Sequence, residues 1–327
     1  MNATVVVTSR SFSSGDLDLV DTLAKSGLRV VRCPADHDPA SLAPHLVDAV
    51  AWIAGTGPVT REHLAAAPAL KVLARYGVGV DAVDLSAASA AGVVVTNTPG
   101  ANSEAVAEHT IALLMAALRS VAAGDERVRQ GDWSVIRGRQ LSGSVVGVVG
   151  FGRIGQGSAA RCKALGCQVL VHDPYVADEA VLAAGHTPVG LEQVRTECDV
   201  VALHAPGGAT IVDAAWLSDA RPGQILVNTA RADLIDEHAV AEALRAGRLH
   251  GYAADTLQTE SSSGPPSPLL AADLRTRVTI TPHLGGQTTE AVDRMGSAAV
   301  ADVLAVLSGA PPQNPVRPVA SAAGGRR

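Results

Sequence analysis

The chain has 327 residues, 47% of them hydrophobic and 18% charged, which excludes a disordered chain and is too long for one ordinary core. A net charge of −6, with basic residues scattered along the chain, excludes the concentrated positive face that nucleic-acid binding needs. Aromatic residues are only 2%, so Ala, Val and Leu must fill the cores.

Met1–Arg10 leads almost at once into Val5-Val6-Val7, without the basic and long apolar regions of a signal peptide. Runs of β-branched and apolar residues then recur at Val5–Val7, Leu28–Val31, Ala49–Ile53, Lys71–Ala74 and Val93–Val95. Between them, Asp16–Lys25, Ser41–Val47, Arg61–Ala66 and Asp84–Ala90 have helical composition. Strand and helix in alternation predict a parallel sheet covered on both faces. A long helix is predicted over Ser103–Ala123. Its longest low-charge stretch, Thr110–Leu118, is far short of the ~20 residues that span a bilayer, so no membrane partner is expected. A second series follows: Val145–Val149, Gln168–Val171, Val200–Leu203, Gln224–Val227, Gly251–Ala254 and Val278–Ile280, closed by a helix over Thr288–Leu307. Two such series divided by a long helix predict two α/β domains with a cleft between them, and the closing helix can return to the first. Cys33, Cys162, Cys167 and Cys198 are dispersed, and the closest two lack a second pair or neighbouring histidines. No metal site is expected, and a reducing cytoplasm is the simpler setting.

The first chemistry-bearing motif is Gly150-Phe-Gly152-Arg-Ile-Gly155, between the strand Val145–Val149 and a helix over Ile154–Leu165. Gly150 permits a tight turn, Gly152 lets backbone approach a pyrophosphate, and Gly155 lets helix and strand close up. The helix N-terminus then offers unpaired N–H groups to phosphate. By itself the motif is equally a glycine-rich turn in any α/β protein. The next strand, however, runs into His172-Asp173, and Asp173 lies 18 residues beyond Gly155. An acid there accepts both ribose hydroxyls and repels a 2′-phosphate, which favours NAD over NADP. Asp173 before Pro174 is otherwise an ordinary turn residue.

Arg231, Glu260 and His283 each follow a predicted strand, where open parallel sheets bind their ligands. A bidentate arginine holds a carboxylate and polarises a carbonyl. A histidine titrates near neutrality, and a carboxylate beside it orients it and raises its pKa. Together they suit hydride transfer to a 2-keto acid. Taken singly, each is equally an exposed loop or turn residue.

These segments resemble the D-isomer-specific 2-hydroxyacid dehydrogenases. Val227–Asp236, Ala253–Glu260 and Thr281–Ala291 are similar to the family's three signature blocks, as are Gly77–Asp81, Asn97–Asn102 with Ala107-Glu-His-Thr110, and Gly150–Gly155. The blocks fall in family order from about Leu70 to Ala291, and the Arg-to-Glu and Glu-to-His spacings of 29 and 23 suit the phosphoglycerate dehydrogenase branch. The resemblance implies two doubly wound domains. A smaller flavodoxin-like substrate domain would comprise residues 1–98 plus 288–317, and a Rossmann NAD-binding domain 99–287; the Pro-, Gly- and Ala-rich composition after Ala310 predicts a flexible tail, 318–327. The resemblance implies that Arg231 binds substrate, that His283 is the acid–base group paired with Glu260, and that Asp255 holds the nicotinamide carboxamide. Arg153 and Ile154 would meet the pyrophosphate. His204, Ala205 and Pro206, with Thr229 and Ala230, would line the cofactor cleft, and Thr110 would reach it. The loop Arg75-Tyr76-Gly77-Val78-Gly79 would present backbone N–H groups to the substrate carboxylate. A cytoplasmic homodimer, paired through the nucleotide domain, is expected.

The chain departs from the family pattern at Ala232, where glycine is usual, at Asp255-Thr-Leu and Glu260-Ser261, with the insert Ser261–Pro266, and at the shortened Gly207–Thr210. These changes leave the substrate open among 3-phosphoglycerate, a simple acid such as glyoxylate, hydroxypyruvate or lactate, and a hydroxyphosphonate such as hydroxymethylphosphonate. An acid at Glu260 argues against formate dehydrogenase, which carries an amide there. The alternative is an NAD-sensing, corepressor-like binding protein of the same fold.

Overall fold

The computed structural model describes residues 3–260 and 265–316. The expected tail 318–327 and the first four residues of the Ser261–Pro266 insert lie outside these. The chain divides into two compact units, residues 1–102 with 287–327, and residues 103–286.

The first unit is built on β1 (Ala3–Val7), β2 (Leu28–Arg32), β3 (Ala49–Ala54), β4 (Val72–Arg75) and β5 (Val94–Thr96), all parallel in the order β2-β1-β3-β4-β5. Alternate residues of one strand serve opposite faces. Val6 and Trp52 join Leu42, Leu46 and Leu64, from α2 (Pro39–Leu46) and α3 (Arg61–Ala65). Val5, Val7 and Ile53 join Leu19 and Leu23 of α1 (Leu19–Lys25) on the other face. This two-sided burial is why the strands read as near-continuous apolar runs. α4 (Leu85–Ala90) covers the first face through Ala87 and Ala88. Asp18, Asp38 and Asp84 cap α1, α2 and α4 by accepting backbone N–H groups three residues on. Each cap contributes ~1 kcal/mol and fixes a helix start that hydrophobic periodicity alone leaves loose.

The second unit opens with α5 (Ser103–Arg119) and α6 (Val121–Arg129). The sequence predicts one helix here. The structure bends by 61° at the break, because Ser120 adopts the left-handed conformation, φ 49. Among the described residues no single helix is long and apolar enough to cross a membrane. There follow β6 (Val145–Val149), α7 (Arg153–Ala164), β7 (Gln168–His172), α8 (Asp178–Ala183), β8 (Thr187–Pro188), α9 (Leu191–Glu197), β9 (Val200–Leu203), α10 (Ala214–Asp219), β10 (Gln224–Asn228), α11 (Glu237–Arg245), β11 (Leu249–Ala254) and β12 (Val278–Ile280). The seven strands are parallel in the order β12-β11-β10-β9-β6-β7-β8. The order reverses beside β6, the switch point at which doubly wound sheets bind ligands outside the strand ends. Two clusters sandwich the sheet: Val146, Val148, Ile225 and Val227 with Leu113 and Leu114 of α5, and Val201, Leu203, Leu226 and Tyr252 with Val194, Trp216 and Leu244.

The last helix, α12 (Thr289–Leu307), belongs to the first unit, where Met295, Ala299, Val300 and Val303 join the cluster around Val5 and Val7. Both units are thus the doubly wound parallel sheets expected from the sequence.

Candidate active site

At the end of β6, Gly150 turns the chain with φ 93. A Cβ there would come within 2.7 Å of Ala205 N and the His204 carbonyl carbon. A Cβ at Gly155 would land on the Gly150 carbonyl oxygen, and one at Gly152 would meet nothing within 4 Å. Gly150 and Gly155 therefore hold a tight β6–α7 crossing, while Gly152 keeps the approach to α7 clear. No side chain caps α7 at Gly152. Its first N–H groups remain available to an anion. Arg153 is exposed and Ile154 half-buried in the first turn. Asp173, at the end of β7, accepts the Phe151 N–H at 2.7 Å through Oδ2 and the Tyr175 N–H at 2.8 Å through Oδ1. The half-buried carboxylate thereby lies against the glycine turn.

His204 follows β9, with Ala205 half-buried and Pro206 exposed beyond it. Both His204 ring nitrogens are buried without a hydrogen-bond partner. Burial pushes this imidazole down to about 4, so it is neutral. Thr110 on α5 donates to Val106 O at 2.8 Å and meets Thr229 Oγ1 at 2.8 Å. The loop after β10 is shaped by Asn228, wholly buried, whose amide donates to Arg231 O at 2.9 Å and whose oxygen accepts the Ala230 N–H at 3.0 Å. The Arg231 guanidinium touches its own chain at Ala230 O, 2.9 Å away.

His283, three residues past β12, sits in the left-handed region, φ 56. A histidine held there is strained and must be fixed by its surroundings. Its Nδ1 lies 2.6 Å from Glu260 Oε1. Glu260 ends a 3₁₀ turn, Gln258–Glu260, anchored by Gln258 N donating to the buried Glu237 carboxylate at 2.8 Å. The hydrogen bond to Glu260 raises the His283 pKa above its ordinary value against the opposing effect of burial; the charges of Glu260 and Asp255 add to the rise and that of Arg231 opposes it. The three residues singled out in the sequence thus share one electrostatic neighbourhood.

Asp255, 3% exposed, accepts from Thr281 Oγ1 at 2.5 Å, Leu284 N at 2.7 Å and Gly285 N at 2.7 Å. Burial pushes its carboxyl up, but hydrogen bonds from His109, Thr281, Gly285 and Leu284 outweigh that and hold it below the usual carboxylate range.

The Arg75–Gly79 segment belongs to the first unit. The Arg75 guanidinium is buried and donates to Gly55 O, Thr56 O at 2.8 Å, Gly57 O at 3.0 Å and Gly79 O at 3.1 Å. Tyr76 is buried, its hydroxyl donating to Val292 O at 2.9 Å. Gly77 turns with φ 139, and Val78 is exposed. The Tyr76 and Gly77 N–H groups donate to Ala54 O at 2.9 Å and Arg75 O at 3.0 Å, so these two amides are taken up within the unit, and Arg75 works as an internal brace.

Sequence reasoning assigned no role to Asn228, Glu237, His109 or Thr281. Their partners are set by tertiary contacts. His109, Thr281 and Asn228 lie in blocks the sequence singled out, whereas Glu237 lies just beyond one. Among the described residues no group of three His, Cys, Asp or Glu could hold a metal ion.

Residues 111–285 match the family described as D-isomer specific 2-hydroxyacid dehydrogenase, NAD binding domain. D-3-phosphoglycerate dehydrogenase of Mycobacterium leprae is 41% identical over 256 residues, 77% of this chain and 48% of that protein. The chain spans about half the length of the curated relatives it matches. The crystal structure of the TT0316 protein from Thermus thermophilus is similar with a TM-score of 0.85 at 36% identity, covering 96% of this chain and 99% of that one. The NAD-dependent formate dehydrogenase from Staphylococcus aureus in complex with NAD gives 0.82 at 27% identity, covering 97% and 99%.

Proposed function

Because this chain belongs to the D-isomer-specific 2-hydroxyacid dehydrogenase family, we propose that it is an NAD-dependent oxidoreductase acting on a small anionic 2-hydroxy or 2-keto acid. The observation that carries this reading is the 2.6 Å pairing of His283 Nδ1 with Glu260 Oε1. Glu260 accepts the Nδ1 proton, so Nε2 is the nitrogen that exchanges a proton with substrate. In the reducing direction, imidazolium Nε2 donates to the carbonyl oxygen as it becomes a hydroxyl. In the oxidising direction, neutral Nε2 removes the hydroxyl proton. Arg231 holds the substrate carboxylate and polarises the carbonyl.

The residues present fit NAD. The cleared approach at Gly152 and the uncapped start of α7 suit a pyrophosphate. Asp173 suits the ribose hydroxyls, and Asp255 Oδ2, which accepts one N–H, keeps a lone pair for the carboxamide. When bound, NAD supplies the hydride acceptor, or in its reduced form the hydride. Ala205, Pro206, Thr229 and Ala230 line the same strand ends.

The phosphoglycerate dehydrogenase relatives favour a 3-phosphoglycerate-type acid. Arg75 lends no support to phosphate binding, since four carbonyls take its donors. NADH absorbance with hydroxypyruvate, glyoxylate, pyruvate and phosphonate analogues, and NAD⁺ reduction with 3-phosphoglycerate and hydroxymethylphosphonate, tests the reading. Turnover of at least one of these acids is expected. NADH binding with none turned over would favour an NAD-sensing binding protein instead.

A homodimer formed through the second unit is part of the proposal. It is supported by Trp133 and Val135, 79% and 92% exposed, close in sequence to exposed Val121 and Val128 of α6. A cytoplasmic setting is supported by four free cysteines, three of them buried.

A further inference from the structure

We propose that His109, on α5, is a positioning residue for hydride transfer. It holds the loop that carries His283 through Thr281 and Asp255. The inference rests on the reading of His283 as the acid–base group.

One residue grips that loop from two sides. The Asp255 backbone carbonyl accepts the His283 N–H at 3.1 Å, and its carboxylate accepts the N–H groups of Leu284 and Gly285, each at 2.7 Å. A Cβ at Gly285 would meet Asp255 Oδ2 at 3.0 Å, so the approach is close. These bonds keep His283 at its left-handed φ and its ring toward Glu260.

The donor inventory then assigns His109 its part. Thr281 has a single hydroxyl proton, and the 2.5 Å contact to Asp255 Oδ1 takes it. The Thr281 oxygen, 2.9 Å from His109 Nε2, must therefore accept, and His109 must carry a proton on Nε2. That proton also lies toward Asp255 Oδ1, 3.3 Å away. The result is a network that converges on the Asp255 carboxylate: His109 Nε2–H to Thr281 Oγ1–H to Oδ1 from one side, and the N–H groups of Leu284 and Gly285, just after His283, from the other. His109 is fixed on a long helix and its side chain is 18% exposed, so it gives the loop a rigid outside reference. Removing it leaves the half-buried Thr281 hydroxyl, hydrogen-bonded to the buried Asp255 carboxylate, short of one donor and lets the loop relax. Errors of this kind in placing an acid–base group cost rate far more than substrate binding.

Four variants test this, with steady-state kinetics on the best acid of the panel and amide hydrogen exchange of the 281–285 segment. His109→Leu and Thr281→Val should each lower kcat about tenfold while KM and NADH affinity change by less than about twofold. The double variant should be no worse than the poorer single one. His109→Gln, which can donate an N–H from near the Nε2 position, should recover most of the loss. Exchange at Leu284 and Gly285 should speed up in His109→Leu and stay slow in His109→Gln, a readout that needs no substrate. Wild-type kcat and slow exchange in His109→Leu would overturn the proposal, as would equal losses in the Leu and Gln variants. His283→Gln with undiminished turnover would instead overturn the reading on which the proposal rests.

Discussion

In the proposed function, the hydrogen bond from His283 to Glu260 leaves Nε2 for the chemistry and sets the pH range in which the ring carries a proton. Because Glu260 raises the His283 pKa, the imidazolium persists to higher pH than it would alone, and keto-acid reduction should fall as pH rises through that value. Glu260→Gln removes the carboxylate charge and lowers the pKa, so the alkaline fall-off in kcat/KM should move to lower pH. An unmoved profile would remove Glu260 from the acid–base pair. Arg231, Glu260 and His283 could be singled out in the sequence because each follows a strand and the three together suit one chemistry; the structure pairs His283 with Glu260. Arg75 was not legible in the same way. Its guanidinium is taken up by the carbonyls of Gly55, Thr56 and Gly57, some 20 positions away in sequence, a long-range pairing that local pattern does not encode.

The element that the proposal gives to the cofactor is the β6 turn into α7. A Cβ at Gly155 would coincide with the Gly150 carbonyl oxygen. Gly155→Ala must therefore push α7 off β6, at a cost of ~1–3 kcal/mol in stability, and should weaken NADH binding by about tenfold or more. Fluorescence titration of NADH measures this, and wild-type affinity would contradict the assigned role of the turn. Strands such as β1, β6 and β9 were readable because both of their faces are buried, which forces continuous apolar runs. The helix break at Ser120 was not, since the residues around it keep helical composition and only the left-handed φ of Ser120 ends α5. β8 was missed because two residues, one of them proline, carry no periodic signal.

At the scale of the whole molecule, buried neutral imidazoles tie stability to pH. Burial pushes His37 down to about 4; its Nδ1 meets Pro58 O at 2.9 Å and its Nε2 has no partner. The folded pKa lies below the unfolded value of ~6.5, so the stability from keeping this ring neutral is complete above that pH and is lost as pH falls from ~6.5 to 4, by roughly 3 kcal/mol at the lower end. The urea midpoint should drop between pH 7 and 5, and His37→Asn, which tolerates the left-handed backbone at this site (φ 57), should flatten that dependence. Light scattering should give a dimer mass that Trp133→Ser reduces; a wild-type monomer would remove the dimer from the proposal. The proposed function depends most directly on acid–base chemistry at His283. His283→Gln should lower turnover of the best panel acid by ~10²–10⁴ while NADH still binds with near wild-type affinity, and near wild-type turnover in that variant would contradict the account.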